Sequence, residues 1–366
     1  VTGYKERFMV DRSEAADDLI VDLVNQIADR IDHTDLEAFP DSEPPTTFEL
    51  LTLLGFLIFR NAGCDWAVIE TGIGGRLDTT NVITPEICGI TPIELEHTEI
   101  LGTTIEAIAA EKAGIIKPGV PVVTGFLGPE ACDVIEGRAA GLGSPLIRTS
   151  EEITELRQNR HGLVIRRCDG AVLETPLALK GVFQAENAAT AWLILDTLRS
   201  RGHLSFGPDE LKRGLSSASL PGRFELFTPG RFPVPVVLDG AHTPNSVGRV
   251  LESFEELFEG QYGGEKVLLF GSVAGKDVAG MCRILGSRFT AAVVTTPGTF
   301  KRSDPAGVHA VLAGHCDDCR LLPDPREAWL EALRLAGTHR PILVTGSFYL
   351  ISEIRPFVLP TNEYRT

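Results

Sequence analysis

The sequence predicts an α/β protein of two domains, the second built on a parallel, doubly wound sheet. Three observations carry this. The chain has 366 residues, about twice the length of one ordinary domain. Beyond position 229, short apolar runs at 236–238, 267–270, 291–295, 320–322 and 342–345 alternate with helical stretches near 246–258, 278–286, 305–313 and 326–336. Strand and helix alternating at that pitch make βαβ units and hence parallel pairing. Pro221, Gly222, Pro229 and Gly230 cluster where the rhythm begins, which places the boundary within 225–230 and divides the chain into 1–227 and 228–366.

Along the first domain, apolar residues at 15, 16, 19, 20, 23, 24, 27 and 31 recur at helical spacing, with Ser13 as the N-cap. A polar, Pro-rich loop fills 32–45. The stretch 46–62 is apolar nearly all round and predicts a buried helix. A short strand at 67–69 should lead into the Gly-rich ETGIGGRLD, followed by a strand at 87–93, a helix at 104–113 and a strand at 121–125. Asp169-Gly170 between the apolar runs 161–167 and 171–178 is a hairpin signal. Helices are expected at 184–200 and 208–215.

Composition narrows the function. Lys and Arg number 34 against 50 Asp and Glu, a net charge of −16. Nucleic acid is therefore disfavoured as the main partner, because neutralising phosphates takes clustered cations. Seven scattered cysteines give no disulfide framework and fit a reducing cytoplasm. The longest apolar stretch, 50–59, is far shorter than the ~20 residues a membrane span needs. The first residue is Val1, and the opening reads as the interior of an element.

Several residue groups suit chemistry. Glu70 follows an apolar run and precedes Gly72, Gly74 and Gly75, a place where backbone approaches phosphate and a carboxylate can hold Mg²⁺. The alternative is a solvated Glu before a turn. The glycines do not form GxGxxG, so a dinucleotide fingerprint is lacking. Glu94, Glu96, His97 and Glu99 crowd one loop, where acidic neighbours can raise a His pKa or share a cation with it, or simply be solvated. Lys112, late in a helix, serves by default to offset the helix C-terminal dipole.

In the second domain, Asp239-Gly-Ala-His242 follows the first strand and Ser347 follows the last, so both loops should face one crevice. The glycines there equally suit tight strand-to-helix turns. Gly271 to Asp277 imitates a phosphate loop but is one residue short, with Asp in place of the magnesium-binding Ser or Thr. His309, His315, Cys316 and Cys319 contain a single CxxC, too little for a structural zinc site. No GxSxG or HExxH sequence is present.

YKERF (4–8), TTFELLTLLGF (46–56), ETGIGGRLDTTNV (70–82), LEHTEILGTTIEAIAAEKAGIIKPG (95–119), FQAENAATA (183–191), PGRFE (221–225), LDGAHTPNS (238–246) and VTGSFYL (344–350) run in an order that resembles the Mur ligase superfamily, specifically its folylpolyglutamate synthase / dihydrofolate synthase family. The resemblance implies a P-loop-type central ATPase domain followed by a Rossmann-like C-terminal glutamate ligase domain. It implies ATP-dependent amide formation between a folate carboxylate and L-glutamate through an acyl phosphate, with Mg²⁺. It implies a cytoplasmic monomer without nucleic-acid or membrane partners. By similarity, Glu70 and His97 are magnesium ligands, and Lys112 is the lysine that becomes carbamylated. Asn187 contacts adenine, Arg223 reaches phosphate and Asp239 the ribose. His242 and Ser347 hold the incoming glutamate, and Lys112, Arg223 and His242 form the catalytic set.

The family's Gly-Lys-Ser phosphate loop and its Ser-Pro-His segment, both upstream of the YKERF-like stretch, are not among these residues, and ATP turnover is expected to need that cradle in addition. Smaller departures are Pro92 and Glu94 for Ser and Gly, Glu96 for Asp, and Thr243 for Asn. Two other readings compete: a catalytically inactive homologue that binds or regulates, and a Mur-type ligase for another carboxylate.

Overall fold

The computed structural model describes residues 3–159, 162–228, 230 and 232–359. They divide into two compact units. One runs to Val122 and takes in Leu127–Leu146; the other comprises Val123–Phe126 and everything from Ile147 onward.

The first unit opens with a two-stranded antiparallel ladder, β1 (Met9–Val10) and β2 (Ser13–Glu14). Helix α1 (Asp17–Asp32), with Ala16 as its N-cap, starts three residues later than the sequence predicts. Ser13 is spent on the ladder, and Asp17 and Asp18 supply the first-turn negative charge that a helix N-terminus favours. Helix α2 (Thr47–Asn61) has the expected start: Thr46 accepts from the Glu49 amide while Glu49 reaches back to the Thr46 amide. It is buried on one face only, where Leu54 and Ile58 pack with Phe8, Ala15 and Leu23; Leu53 on another face is 45% exposed.

The strand expected at 67–69 does not form. Val68 is 99% exposed and the segment has no ladder partner among the described residues. Three apolar residues satisfy no backbone groups by themselves. Then come β3 (Cys88–Ile90), α3 (Thr98–Leu101), α4 (Ile105–Ala113), β4 (Val122–Thr124), α5 (Pro129–Gly141) and β5 (Leu146–Arg148). Cys88, Ile90, Ala113, Ile116, Val122 and Ile135 form their core.

Besides Val123–Phe126 and the end of β5, the second unit holds α6 (Thr149–Glu152) and an antiparallel sheet of β6 (Ile153–Asn159), β7 (Gly162–Arg167) and β8 (Val172–Thr175). The hairpin at Asp169-Gly170 is as predicted: Gly170 takes φ 88° and the Asp169 carboxylate accepts from the Ala171 amide. His161, expected to start β7, lies outside the described residues. Helices α7 (Val182–Ser200) and α8 (Pro208–Ser217) follow.

The remaining strands are β9 (Glu225–Phe227), β10 (Val236–Leu238), β11 (Val267–Phe270), β12 (Ala291–Val294), β13 (Cys319–Leu321) and β14 (Ile342–Thr345). They form one sheet in the order β13-β12-β11-β14-β10-β9, parallel except for the edge strand β9. No residue of β10, β11, β12 or β14 is more than 1% exposed, as expected of strands covered on both faces. Helices α9 (Pro244–Leu257), α10 (Val278–Leu285) and α11 (Pro305–Leu312) pack on one face, and α12 (Pro325–Ala336) and α13 (Phe348–Val358) on the other. This is the doubly wound arrangement that the sequence predicts.

Candidate active site

Strands β10 and β14 are parallel neighbours with Leu238 opposite Val344, so the loops after them leave the sheet side by side. The chain stitches them together. Asp239 N–H donates to Val344 O at 3.0 Å and Gly346 N–H donates to Ala241 O at 2.9 Å. A third segment joins through Gly240 N–H, which donates to Gly222 O at 2.9 Å. Arg223, Asp239, His242 and Ser347 are thereby brought to one end of the sheet.

Asp239 is the buried anchor. It is 3% exposed, and its two oxygens accept from the Phe224 and Ala241 amides, each at 2.7 Å. Burial pushes its carboxyl up to about 6, against the opposing pull of the two amides and of the charges on Arg223 and His242. Accepting the Phe224 amide holds that residue at φ 47°, a left-handed conformation that costs a bulky side chain energy and persists only when overdetermined.

The His242 ring is oriented by the backbone: its Nδ1 lies 2.8 Å from Gly240 O, and a carbonyl only accepts, so Nδ1 carries a proton there. Ser347 is the N-cap of α13 and its hydroxyl accepts from the Tyr349 amide at 3.1 Å. Thr243, the departure noted above, caps α9 through a reciprocal pair with Ser246. Asn187 is exposed on α7, and its amide donates to the buried Gln184 carbonyl oxygen at 3.1 Å.

The other unit organises Glu70, His97 and Lys112 through the Gly-rich turn. Asp78 closes that turn by accepting from the Gly72 and Ile73 amides at 2.8 and 3.1 Å and from the Thr80 amide and hydroxyl. Part-burial works to raise its carboxyl, but these four donors prevail and hold it below the usual carboxylate range. Arg76 N–H donates to Glu111 O at 2.8 Å, and its guanidinium grips the Glu111 carboxylate at 2.9–3.2 Å.

Glycine is required here by close approach. A Cβ at Gly75 would sit 3.0 and 3.1 Å from the Glu111 and Lys112 carbonyls, and one at Gly74 would sit 2.8 Å from Leu101. So the turn after Glu70, the helix end carrying Lys112 and the short helix begun by His97 pack on one another. His97 itself takes φ 52° and lies 4.0 Å from both Glu96 and Glu99. Glu70 and Lys112 have no side-chain ion pair or hydrogen bond among the described residues. No cluster of three or more His, Cys, Asp or Glu that could hold a metal lies among them either.

The phosphate-loop imitation has another use. Asp277 caps α10 by accepting from the Gly280 amide at 2.8 Å, so its carboxylate fills the helix N-terminus. In the CxxC region, His309 Nε2 is engaged by the Cys319 carbonyl at 3.2 Å, while burial pushes the Cys319 thiol up to about 12.

Sequence reasoning missed two residues that organise the site. Asp78 lies in the quoted Gly-rich stretch, and Phe348 directly follows Ser347. The signal for Asp78 was a short acid in a glycine turn, which commonly bonds nearby amides.

Residues 222–348 match the glutamate ligase domain of Mur ligases. The folylpolyglutamate synthase of Lacticaseibacillus casei is 32% identical over 98% of this chain and 82% of its own length. The dihydrofolate synthase/folylpolyglutamate synthase of Bacillus subtilis is 31% identical over 97% of this chain and 81% of its length. A Mycobacterium tuberculosis folylpolyglutamate synthase solved with ADP and AMPPCP superposes with TM-score 0.87 at 26% identity, covering 98% of this chain and 83% of that one.

Proposed function

The chain belongs to the folylpolyglutamate synthase / dihydrofolate synthase family, and on that premise we propose that it joins L-glutamate to a folate carboxylate in a reaction driven by ATP. The observation that carries the reading is the three-way stitching of the Arg223, Asp239–His242 and Ser347 segments at one end of the parallel sheet. The inactive-homologue reading gives no chemical reason for that wiring to coexist with Glu70 and Lys112 left unpaired.

A carboxylate is a poor acyl donor until one oxygen becomes a leaving group. The folate carboxylate oxygen attacks the γ-phosphorus of ATP and ADP departs, leaving an acyl phosphate. The amine of L-glutamate then attacks the acyl carbon, loses a proton, and expels inorganic phosphate as the amide forms. In this reading Asn187 contacts adenine, Asp239 the ribose and Arg223 a phosphate. His242 and Ser347 hold the incoming glutamate. With Nδ1–H committed to Gly240 O, His242 in its neutral form would present Nε2 as the acceptor for an ammonium or amine N–H.

Glu70 fits a magnesium ion: it is an exposed, unpaired hard oxygen donor, and Mg²⁺ asks for few protein oxygens beside phosphates and water. His97 and Lys112 would complete the set, the lysine as a carbamate, which replaces its cation by an oxygen-bearing anion. When bound, the ion neutralises charge on the transferring phosphoryl group. The proposal includes a cytoplasmic, monomeric enzyme with its functional boundary at 227/228; no described helix is long and apolar enough to cross a membrane.

The test uses the product of the whole reading frame that contains these residues, with ATP, Mg²⁺, tetrahydrofolate and L-glutamate. The expected result is ADP release together with a folate one glutamyl residue heavier, both abolished by omitting either substrate. ADP release indifferent to folate and glutamate, or none at all, would overturn the reading.

A further inference from the structure

We propose that Phe348 is a positioning residue whose ring sets the direction of Arg223 and the placement of His242, coupling the nucleotide side of the site to the glutamate side. The inference rests on the roles proposed above for those two residues and goes beyond them.

Arg223 is exposed and makes no ion pair among the described residues. A long, unpaired side chain loses rotamer entropy when it is held in one direction. What holds it is a ring: its guanidinium lies 4.2 Å from the Phe348 centroid, within the range where a cation is attracted to an aromatic face. The same ring meets His242 edge-on, with centroids 6.0 Å apart and planes at 65°.

Phe348 also presses on the backbone between them. A Cβ at Gly240 would fall 2.3 Å from two of its ring carbons, so the ring occupies the space that any other residue at 240 would need. Gly240 is the residue whose carbonyl takes the His242 Nδ1 proton and whose amide donates to Gly222, next to Arg223. Movement of the ring is therefore felt on both sides: through the π face at Arg223, and through the Gly240 carbonyl at the His242 imidazole. Position is secured from behind, because Ser347 caps α13 and places Phe348 as its first residue.

The test compares Phe348→Leu, Phe348→Tyr and Ile351→Val in the complete gene product. Leu keeps apolar bulk and removes the π face; Tyr keeps the face. Ile351 is fully buried on the same helix, so its truncation controls for a merely structural effect. Wild-type ligation is established first, which separates failure of the overall reading from failure of this one.

The expected result is a rise in KM for ATP of roughly threefold to thirtyfold in Phe348→Leu, with a parallel rise in KM for glutamate. Phe348→Tyr should stay within about twofold of wild type, and Ile351→Val should leave both KM values in place whatever its melting temperature. ADP affinity by calorimetry should follow the KM for ATP. Unchanged KM values in Phe348→Leu, or a change shared by Ile351→Val or not rescued by Tyr, would overturn the proposal. If Phe348→Leu does not fold, Phe348→Trp takes its place: an ATP KM within about twofold of wild type supports the proposal and a rise of roughly threefold or more refutes it.

Discussion

The two units carry their candidate residues in opposite ways. At the sheet end, Asp239 is buried and bonded by two amides, His242 is fixed by a carbonyl and Ser347 by a helix amide. Around the Gly-rich turn, the scaffold is equally tight through Asp78 and the Arg76–Glu111 pair, yet Glu70 and Lys112 have no side-chain partner among the described residues. The difference separates two tasks. Residues that must hold one geometry toward a defined substrate are wired into the fold. Residues that must surrender their surroundings to phosphate oxygens and a cation are left to be satisfied by them. Folding stability and activity should consequently be coupled in the first region and separable in the second.

The strongest way to break that contrast is Asp239→Ala. It strands two buried amides, those of Phe224 and Ala241, at about 1–3 kcal/mol each. Urea unfolding near pH ~4, below the titration of the folded carboxyl, should show a loss of about 2–6 kcal/mol; a loss below ~1 kcal/mol there would mean that the wiring is incidental.

Proton linkage gives a second test at the same residue. An unfolded Asp titrates near ~3.9, whereas the folded carboxyl is pushed up to about 6 by burial. Between those values the native state holds a proton that the unfolded chain has released, so this group's contribution to stability is full below the lower value and lost as pH rises through the upper. The cost is on the order of 3 kcal/mol above the window. Relative to wild type, Asp239→Asn should therefore gain stability as pH rises from about 4 to about 7. A flat difference curve would remove the burial argument.

Gly240→Ala should cost about 1–3 kcal/mol by overpacking against Phe348, and part of that loss should be recovered in the double variant with Phe348→Ala. Additivity in the thermal melts of this cycle would show that the two do not touch in solution. In the other unit, Thr46→Ala removes a capping box and should lower stability by ~1 kcal/mol, measurable as a reduced melting temperature. The smallest stability effect belongs to Glu70→Gln and Lys112→Met, within about 0.5 kcal/mol, although ADP release should fall on the order of a hundredfold. A large stability loss in either variant would show that these side chains are structural after all.

Much of the second unit was legible because its signals are redundant. VVL, VLLF, AAVV and ILVT are continuous apolar runs, and a strand covered on both faces needs such a run. Convergence of the β10 and β14 loops is legible too, because both follow the carboxyl ends of strands in one doubly wound sheet. Helix α13 is not evident locally because Pro356 lies within it, although Leu350, Ile351, Ile354 and Val358 recur at helical spacing. Helix α5 was missed because its small residues carry little amphipathic signal.

The false strand at 67–69 shows the limit of local reading: three apolar residues look alike whether or not a neighbour pairs with them. Site residues were legible as types, a Glu before glycines or a His after Asp-Gly-Ala. Their states were not. The left-handed backbone of His97 and Phe224 and the lifted pKa of Asp239 arise from contacts distant in sequence. Phe348 has a further reason to be silent in the sequence: a ring that aims polar groups has no polar signature of its own.

The most direct measurement of the central claim follows oxygen through the reaction. A folate labelled with ¹⁸O in its reacting carboxylate is incubated with the complete gene product, ATP, Mg²⁺ and L-glutamate, and the phosphate is analysed by mass. Activation as an acyl phosphate predicts that one labelled oxygen leaves in inorganic phosphate while the other stays in the new amide. Unlabelled phosphate, with amide product formed, would contradict that chemistry.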